Sequence, residues 1–408
     1  MFFRKILCLT LVILLCLNFS VCADVVEGEN TDIVTEYYSA DIYEDVVDVS
    51  ADVSDSLDIN AQGVVLMETS TGEIIYKKNE NKRLSPASIT KIMTMLLVVE
   101  AIENKQLKLQ DKIKTTEHAA SMGGSQIWLE VGEEMSAHDL LKSVAVGSAN
   151  DAAVSLAEHI AGSEEAFVAK MNERAKSLGM KNTNFTNACG LDDDSLYTTA
   201  KDVAIMSAEL IKHEFIKQYT TIWMDSVRNE SVQLVNTNKL VRFYQNCTGL
   251  KTGTTSKAGY CLSATAKRDG MELVAVVMGA DNSNDRFASA KKLLNYGFAN
   301  YKLLNLEKEA KIKNFVKIAN GKQNTLRIGS NTQRYKLIKN FNTNNLKVEI
   351  KYNDDLSAPI YKNDVVGKVI IKLNDSQIIE NKIVSLENVE RIDYSFCFAR
   401  LLETCFKL

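Results

Sequence analysis

The 408-residue sequence predicts an α/β chain of the α+β type: an antiparallel sheet carrying an α-rich lobe, then a small all-β domain. Three observations predict it. Strand-like segments at 63–67, 73–76, 250–255, 259–266 and 271–279 lie on either side of a stretch, 107–239, whose apolar residues mostly recur with the helical period. Strands before and after a helical insertion close into one sheet with helices packed on it. Beyond Tyr301 the composition turns Lys- and Asn-rich with two-residue alternation, as in 346–351 and 368–373, which argues half-buried strands over 302–393. A hydrophobic content of 46%, a charged content of 25% and only two prolines suit a globular chain long enough for two cores.

In order, Met1-Phe2-Phe3-Arg4-Lys5, an apolar run over 6–17 and Val21-Cys22-Ala23 form the pattern of a secretory signal peptide, 1–23, cleaved after Ala23. The run is shorter than the roughly 20 residues a spanning helix needs, so export is expected and not a retained anchor. Residues 24–58 hold twelve acidic side chains and no Lys or Arg; such a segment repels itself and reads as an acidic linker. The remaining 59–408 therefore carries a net charge of +6, a mildly basic body suited to an anionic surface. Cys189, Cys247, Cys261, Cys397 and Cys405 follow the leader with no C-x-x-C spacing, and free thiols or at most one incidental bridge are expected.

The larger domain is expected over 59–301. It opens with a hairpin whose turn is Ser70-Thr71-Gly72. Ser85 and Pro86 then read as the N-cap and first position of a helix, with Ser88 in its first turn, where free N–H groups favour developing negative charge. Beyond Lys91 the run 92–99 is apolar on every side, so this helix should be buried. Helices follow over 137–146, 152–159, 164–178 and 200–213, and a last one over 285–299.

Ser88-Ile89-Thr90-Lys91 sets a hydroxyl and an amine three residues apart, within reach of each other on one helix face, so the amine could act as base to a nucleophilic Ser88. The spacing alone is weak, because Ser289 and Lys292 repeat it on an ordinary amphipathic segment. Company decides the case. Ser148-Ala149-Asn150 falls in a loop between two helices, and Lys251-Thr252-Gly253-Thr254 begins a strand; Ser-x-x-Lys, Ser-x-Asn and Lys-Thr-Gly in that order form a specific set.

Through Pro86-Ala87-Ser88-Ile89-Thr90-Lys91, Ser148-Ala149-Asn150-Asp151-Ala152 and Gly249-Leu250-Lys251-Thr252-Gly253-Thr254 the chain resembles the low-molecular-mass penicillin-binding proteins, specifically the serine-type D-alanyl-D-alanine carboxypeptidases. The resemblance implies a penicillin-binding protein/β-lactamase-like catalytic domain. It implies that Ser88 attacks the terminal D-Ala-D-Ala bond of peptidoglycan pentapeptide stems, with β-lactams as covalent inhibitors. Lys91 would take the proton, its pKa lowered by partial burial and by a second cation at Lys251. The N–H groups of Ser88 and Thr254 would form the oxyanion hole. Ser148 would relay a proton to the departing amine, and Asn150 would hold the acyl amide and Lys91. Lys251, Thr252, Gly253 and Thr254, with Arg286 as a further candidate against a solvated helix start, would receive the substrate carboxylate. One departure is Leu196, where many members of the family resemble a His before the Tyr or Ser.

A class A-like β-lactamase shares the motifs, but that enzyme resembles Glu-x-x-x-Asn between the second and third, and no glutamate from Ser148 to Lys251 has Asn four residues on. A catalytically inactive wall-binding module would tolerate loss of the complete triplet. His118, His138, His159 and His213 show no paired spacing, so neither a Ser-His-Asp triad nor a metal site is expected, and no cofactor is implied. Phosphate loops and basic aromatic patches are missing, which gives nucleic-acid binding no support. Finally, Tyr394, Phe398, Leu401, Leu402, Cys405 and Leu408 recur at helical spacing over 394–408. Fifteen residues span about 22 Å as a helix, short of a bilayer core, so the segment is expected to lie in the interface as a peripheral anchor on the outer face of the cytoplasmic membrane.

Overall fold

Alternating side chains on paired strands create the two faces around which the larger domain is built. In the computed structural model, which describes residues 57–305, 308, 313–330, 335–339, 346–373 and 376–406, β1 (Gly63–Glu68) and β2 (Ile74–Lys78) form the expected hairpin. β3 (Cys247–Thr255), β4 (Gly259–Arg268) and β5 (Met271–Ala280) complete an antiparallel sheet of order β2-β1-β5-β4-β3. The signal peptide and the linker up to residue 56 lie outside the described residues. Val65, Met67, Val274, Val276 and Met278 face one core, and Val64, Leu66, Leu273, Ala275 and Val277 the other. Because β1 and β5 are covered on both faces, both are buried throughout and read as unbroken apolar runs.

The first core is shared with α1 (Lys91–Glu103), α2 (Asn150–Ala161), α3 (Glu164–Ser177) and α4 (Ala200–Lys212); the second with α5 (Ser283–Asn300). Side-chain caps set several starts: Ser163 accepts from Ala166 N, Thr199 from Asp202 N and Asn282 from Asp285 N. A short strand pair, Lys112–Lys114 with Glu134–Ser136, and a short hairpin, Met224–Val227 with Val232–Val235, interrupt the helical lobe. At three or four residues each, they are too short for a period to register.

The expected start of α1 needs correction. Ser85 does not cap it: its hydroxyl donates to Asp192 at 3.2 Å, and Ala87–Thr90 winds as a 3-10 turn before Lys91 opens the α-helix. The helix is buried along nearly its whole length, as the apolar run implied.

After α5, strand Tyr301–Asn305 pairs with Tyr335–Lys339, and Leu303 and Leu337 join the second core of the larger domain. A five-stranded antiparallel sheet then builds its own core from Leu326, Ile328, Val369, Ile371, Ile383 and others. The alternating segments 346–351 and 368–373 are partners in it, in strands Leu346–Tyr352 and Val365–Leu373. The last helix, α6 (Tyr394–Phe406), leaves Tyr394, Phe398, Leu401 and Leu402 exposed.

Candidate active site

The 3-10 turn at Ala87–Thr90 matters because residues i and i+3 eclipse in that geometry. It stacks Lys91 over Ser88, with Nζ 2.9 Å from Oγ. Lys91 is completely buried, and its Nζ also donates to Asn150 Oδ1 at 2.5 Å and to the Cys189 carbonyl at 2.7 Å. Burial lowers its pKa to about 8. The expected second cation, Lys251, is itself buried and held well below the usual lysine range, first by burial and then by Lys91 and Arg286. Two buried amines of like charge disfavour each other's protonation.

The second motif lies where a π-turn, Ser143–Gly147, runs into α2. Ser148 ends that turn in the left-handed region (φ 64°), is nearly buried, and is followed by Asn150 as the first residue of α2. The Asn150 amide bridges outward: Nδ2 donates to the Gly123 carbonyl at 2.5 Å, while its backbone N–H donates to Ser125. A Cβ on Gly124 would stand 2.9 Å from Nδ2, so this close approach requires glycine. Asp151, fully buried beside it, accepts from the backbone N–H groups of Ile127 and Leu129 and so fixes the 123–129 loop to α2.

The third motif is central in β3 and does not begin it. Gly253 packs against the Ser88 turn: a Cβ there would meet the Pro86 carbonyl at 2.8 Å and Ile89 N at 3.0 Å. Thr252 Oγ1 donates to Thr237 Oγ1 at 2.7 Å, and Lys251 Nζ donates to the Thr252 carbonyl at 3.0 Å. Arg286 is not at a solvated helix start. It is buried, donates from Nη1 to Thr254 Oγ1 at 2.9 Å, and lies over Tyr260 and Phe287. Burial lowers its pKa.

Contacts thus join Ser88, Lys91, Asn150, Gly253, Thr254 and Arg286, Lys251 and Thr252 adjoin them on β3, and Ser148 stands two residues before Asn150, at the junction of the sheet and the helical lobe. Sequence reasoning missed the supports of this site: Gly123, Gly124, Asp151, Thr237 and the turn at 187–191. In that turn Asn187 Oδ1 accepts from Gly190 N at 2.6 Å, and a Cβ on Gly190 (φ 85°) would fall 1.9 Å from the Ala87 carbonyl. The Gly-Gly pair and the Asn-x-x-Gly spacing were the available signals. Leu196, in place of the expected His, is a buried member of the first core. The other Ser-x-x-Lys is structural, with Lys292 on the Asp58 carbonyl. The histidines found with ring partners, His118, His138 and His213, bind Glu164, Tyr219 and Glu103 and take no part here. All five cysteines among the described residues are free thiols.

A half-buried serine held by a buried lysine, backed by an amide and faced by a Lys-Thr-Gly strand, defines a serine acyl-transfer enzyme of the penicillin-binding protein/β-lactamase-like fold. A family model described as D-alanyl-D-alanine carboxypeptidase matches residues 48–282, and one described as penicillin-binding protein 5, C-terminal domain, matches 301–391. The chain belongs to the D-alanyl-D-alanine carboxypeptidase family and is a serine-type enzyme of that activity. It is 44% identical over 338 residues to D-alanyl-D-alanine carboxypeptidase DacF of Bacillus subtilis, spanning 82% of this chain and 87% of that one. With DacC of Escherichia coli it shares 33% over 340 residues, 81% and 85% of the two chains. Among solved structures, penicillin binding protein 5 from Haemophilus influenzae superposes with a TM-score of 0.70 at 31% identity, covering 82% of this chain and 99% of that one. Penicillin-binding protein D2 from Listeria monocytogenes, in an ampicillin-bound form, gives 0.55 at 33% identity over 60% of this chain and 99% of its own. The substrate of the present chain is peptidoglycan, which places its work outside the cytoplasm.

Proposed function

We propose that the chain removes the terminal D-alanine from peptidoglycan pentapeptide stems through an acyl-enzyme on Ser88, with Lys91 as the base. The observation that carries this reading is the set of partners around Lys91 Nζ. A neutral amine has two N–H donors and one lone pair; Asn150 Oδ1 and the Cys189 carbonyl take the two donors, which leaves the lone pair for the Ser88 hydroxyl. Ser88 Oγ, losing its proton to Lys91, bonds to the carbonyl carbon of the penultimate D-Ala. The N–H groups of Ser88 and Thr254 hold the oxyanion, each worth about 3 kcal/mol by analogy with measured donors. Collapse breaks the C–N bond, and Ser148 passes a proton to the departing amine of D-Ala. Water then hydrolyses the ester. Lys251, Thr252, Gly253, Thr254 and Arg286 receive the substrate carboxylate, whose charge draws Lys251 back toward its protonated form. A β-lactam follows the same first step and stalls as the acyl-enzyme, in keeping with the ampicillin-bound relative.

The signal peptide, the linker, the catalytic domain over 59–301 and the β domain over 302–393 complete the organisation we propose, with α6 holding the enzyme peripherally at the membrane surface and no role for nucleic acid. The exposed Tyr394, Phe398, Leu401 and Leu402 support that anchor, since so short a helix gains little in water without an apolar surface to cover it. No helix among the described residues is long and apolar enough to cross a membrane. The test is release of D-alanine from a diacyl-Lys-D-Ala-D-Ala peptide. Wild type should release it and take up fluorescent penicillin at one site, while Ser88→Ala does neither; release by Ser88→Ala refutes the assignment.

A further inference from the structure

Trp128 is 67% exposed, although its neighbours Ile127 and Leu129 are buried. Its backbone adopts φ 53°, in the left-handed region that Gly or Asn occupies at lower cost than an indole-bearing residue. The surrounding structure enforces this conformation from both sides. Asp151 accepts from the N–H groups of Ile127 and Leu129, the latter at 3.0 Å. Arg228 donates to the Ile127 and Trp128 carbonyls, each at 2.8 Å, and is itself held by Glu133. Four polar groups of one turn are thus taken by two side chains, and the residue so fixed is an aromatic left in water.

The turn is tied to the catalytic constellation. Asp151 directly follows Asn150, and the Ser125 carbonyl accepts from Asn150 N at 2.7 Å. Three residues of chain put Trp128 within about 11 Å of Ser125. The hairpin carrying Arg228 leads on to Thr237, the partner of Thr252 on the Lys-Thr-Gly strand. A rigid aromatic, costing little conformational entropy to immobilise, is therefore held exposed on the loop bonded to Asn150.

Building on the carboxypeptidase reading, we infer that Trp128 is a substrate-positioning residue: its indole packs against the stem peptide on the N-terminal side of the D-Ala-D-Ala end. The carboxylate end of the substrate meets Lys251 and Arg286 and its acyl amide meets Asn150, so the upstream peptide passes the 123–129 loop that Asn150 holds. An indole suits the aliphatic stem of a long third-residue side chain, and the contact is made by every stem substrate but not by a minimal β-lactam.

Two measurements test this. Trp128→Ala should lower kcat/KM for D-alanine release from diacyl-Lys-D-Ala-D-Ala at least tenfold, while acylation by 6-aminopenicillanic acid, which has no acyl side chain, stays within twofold; Trp128→Phe should recover most of the loss. Acylation by that small β-lactam reports the Ser88 chemistry separately, so failure of the underlying reading shows as absent acylation in wild type. Trp128 and Trp223 are the two tryptophans of the chain. In Ser88→Ala/Trp223→Phe, saturating uncleaved peptide should shift the Trp128 emission to shorter wavelength and protect it from acrylamide. An equal fall for peptide and small β-lactam, no fall for either, or an emission indifferent to peptide overturns the inference.

Discussion

Asn150→Asp replaces a neutral acceptor 2.5 Å from Lys91 Nζ by a carboxylate of nearly the same shape. In the native site burial lowers Lys91 to about 8, so at pH 7 roughly one molecule in ten carries the free amine, against about one in three thousand for an unperturbed lysine. A carboxylate in contact favours the ammonium and raises its pKa by about 1–3 units, which cuts the neutral fraction at pH 7 roughly 10- to 1,000-fold. The sign follows from the base role: activity requires the deprotonated form, so a raised pKa moves the acid limb of the rate profile to higher pH by the same number of units. The assay is the second-order rate of acylation by fluorescent penicillin from pH 6 to 10, read on denaturing gels. Wild type should climb about tenfold per pH unit until it levels near 8, and Asn150→Asp should climb with its limb displaced to alkaline pH. Asn150→Ala, which removes the acceptor without adding charge, should lower the plateau and leave the limb undisplaced in the alkaline direction. A wild-type limb in Asn150→Asp, or an equal alkaline displacement in Asn150→Ala, would refute Lys91 as the base.

Further outcomes follow from the same geometry. Gly190→Ala puts a methyl 1.9 Å from the Ala87 carbonyl at a positive φ, and should cost about 3 kcal/mol or more, read as a lowered denaturation midpoint along with lost penicillin uptake. Arg286→Lys should fail to restore what Arg286→Ala loses, about tenfold or more in kcat/KM for peptide, because the planar guanidinium spans Thr254 and stacks on Phe287 in a way an ammonium cannot; equal activity of Lys and Arg forms refutes this. Deleting 394–408 should move the protein from the membrane pellet to the soluble fraction with small-peptide activity retained, and continued sedimentation refutes the anchor. The penicilloyl-enzyme should persist for hours, whereas rapid turnover of nitrocefin would favour the β-lactamase reading.

Local chemistry is what a sequence displays, and here it displayed a great deal. Three short motifs, each a few residues long, marked the groups proposed as nucleophile, base and carboxylate-binding strand, because residue type at near-neighbour spacing is enough to single them out. The sheet built from both ends of the larger domain was legible for a related reason: β1 and β5 are unbroken apolar runs, and α1 is apolar on all sides. Alternation likewise disclosed the paired strands 346–352 and 365–373.

Tertiary structure decided what depends on approach between distant segments. The 3-10 turn that eclipses Ser88 and Lys91 forms where Gly253 and Gly190 press on it from β3 and from the 187–191 turn, contacts separated from it by about a hundred residues or more. Ser85 reads locally as a cap, yet Asp192 captures it. The depth of burial that lowers the Lys91 pKa is a property of the assembled core, complete where the sequence implied only partial burial. Gly123, Asp151 and Cys189 act through backbone carbonyls or on backbone N–H groups, and main-chain groups carry no signature in the residue string. Residue identity thus determined which groups could react, while long-range packing determined their distances, their protonation and the turn that fixes Trp128.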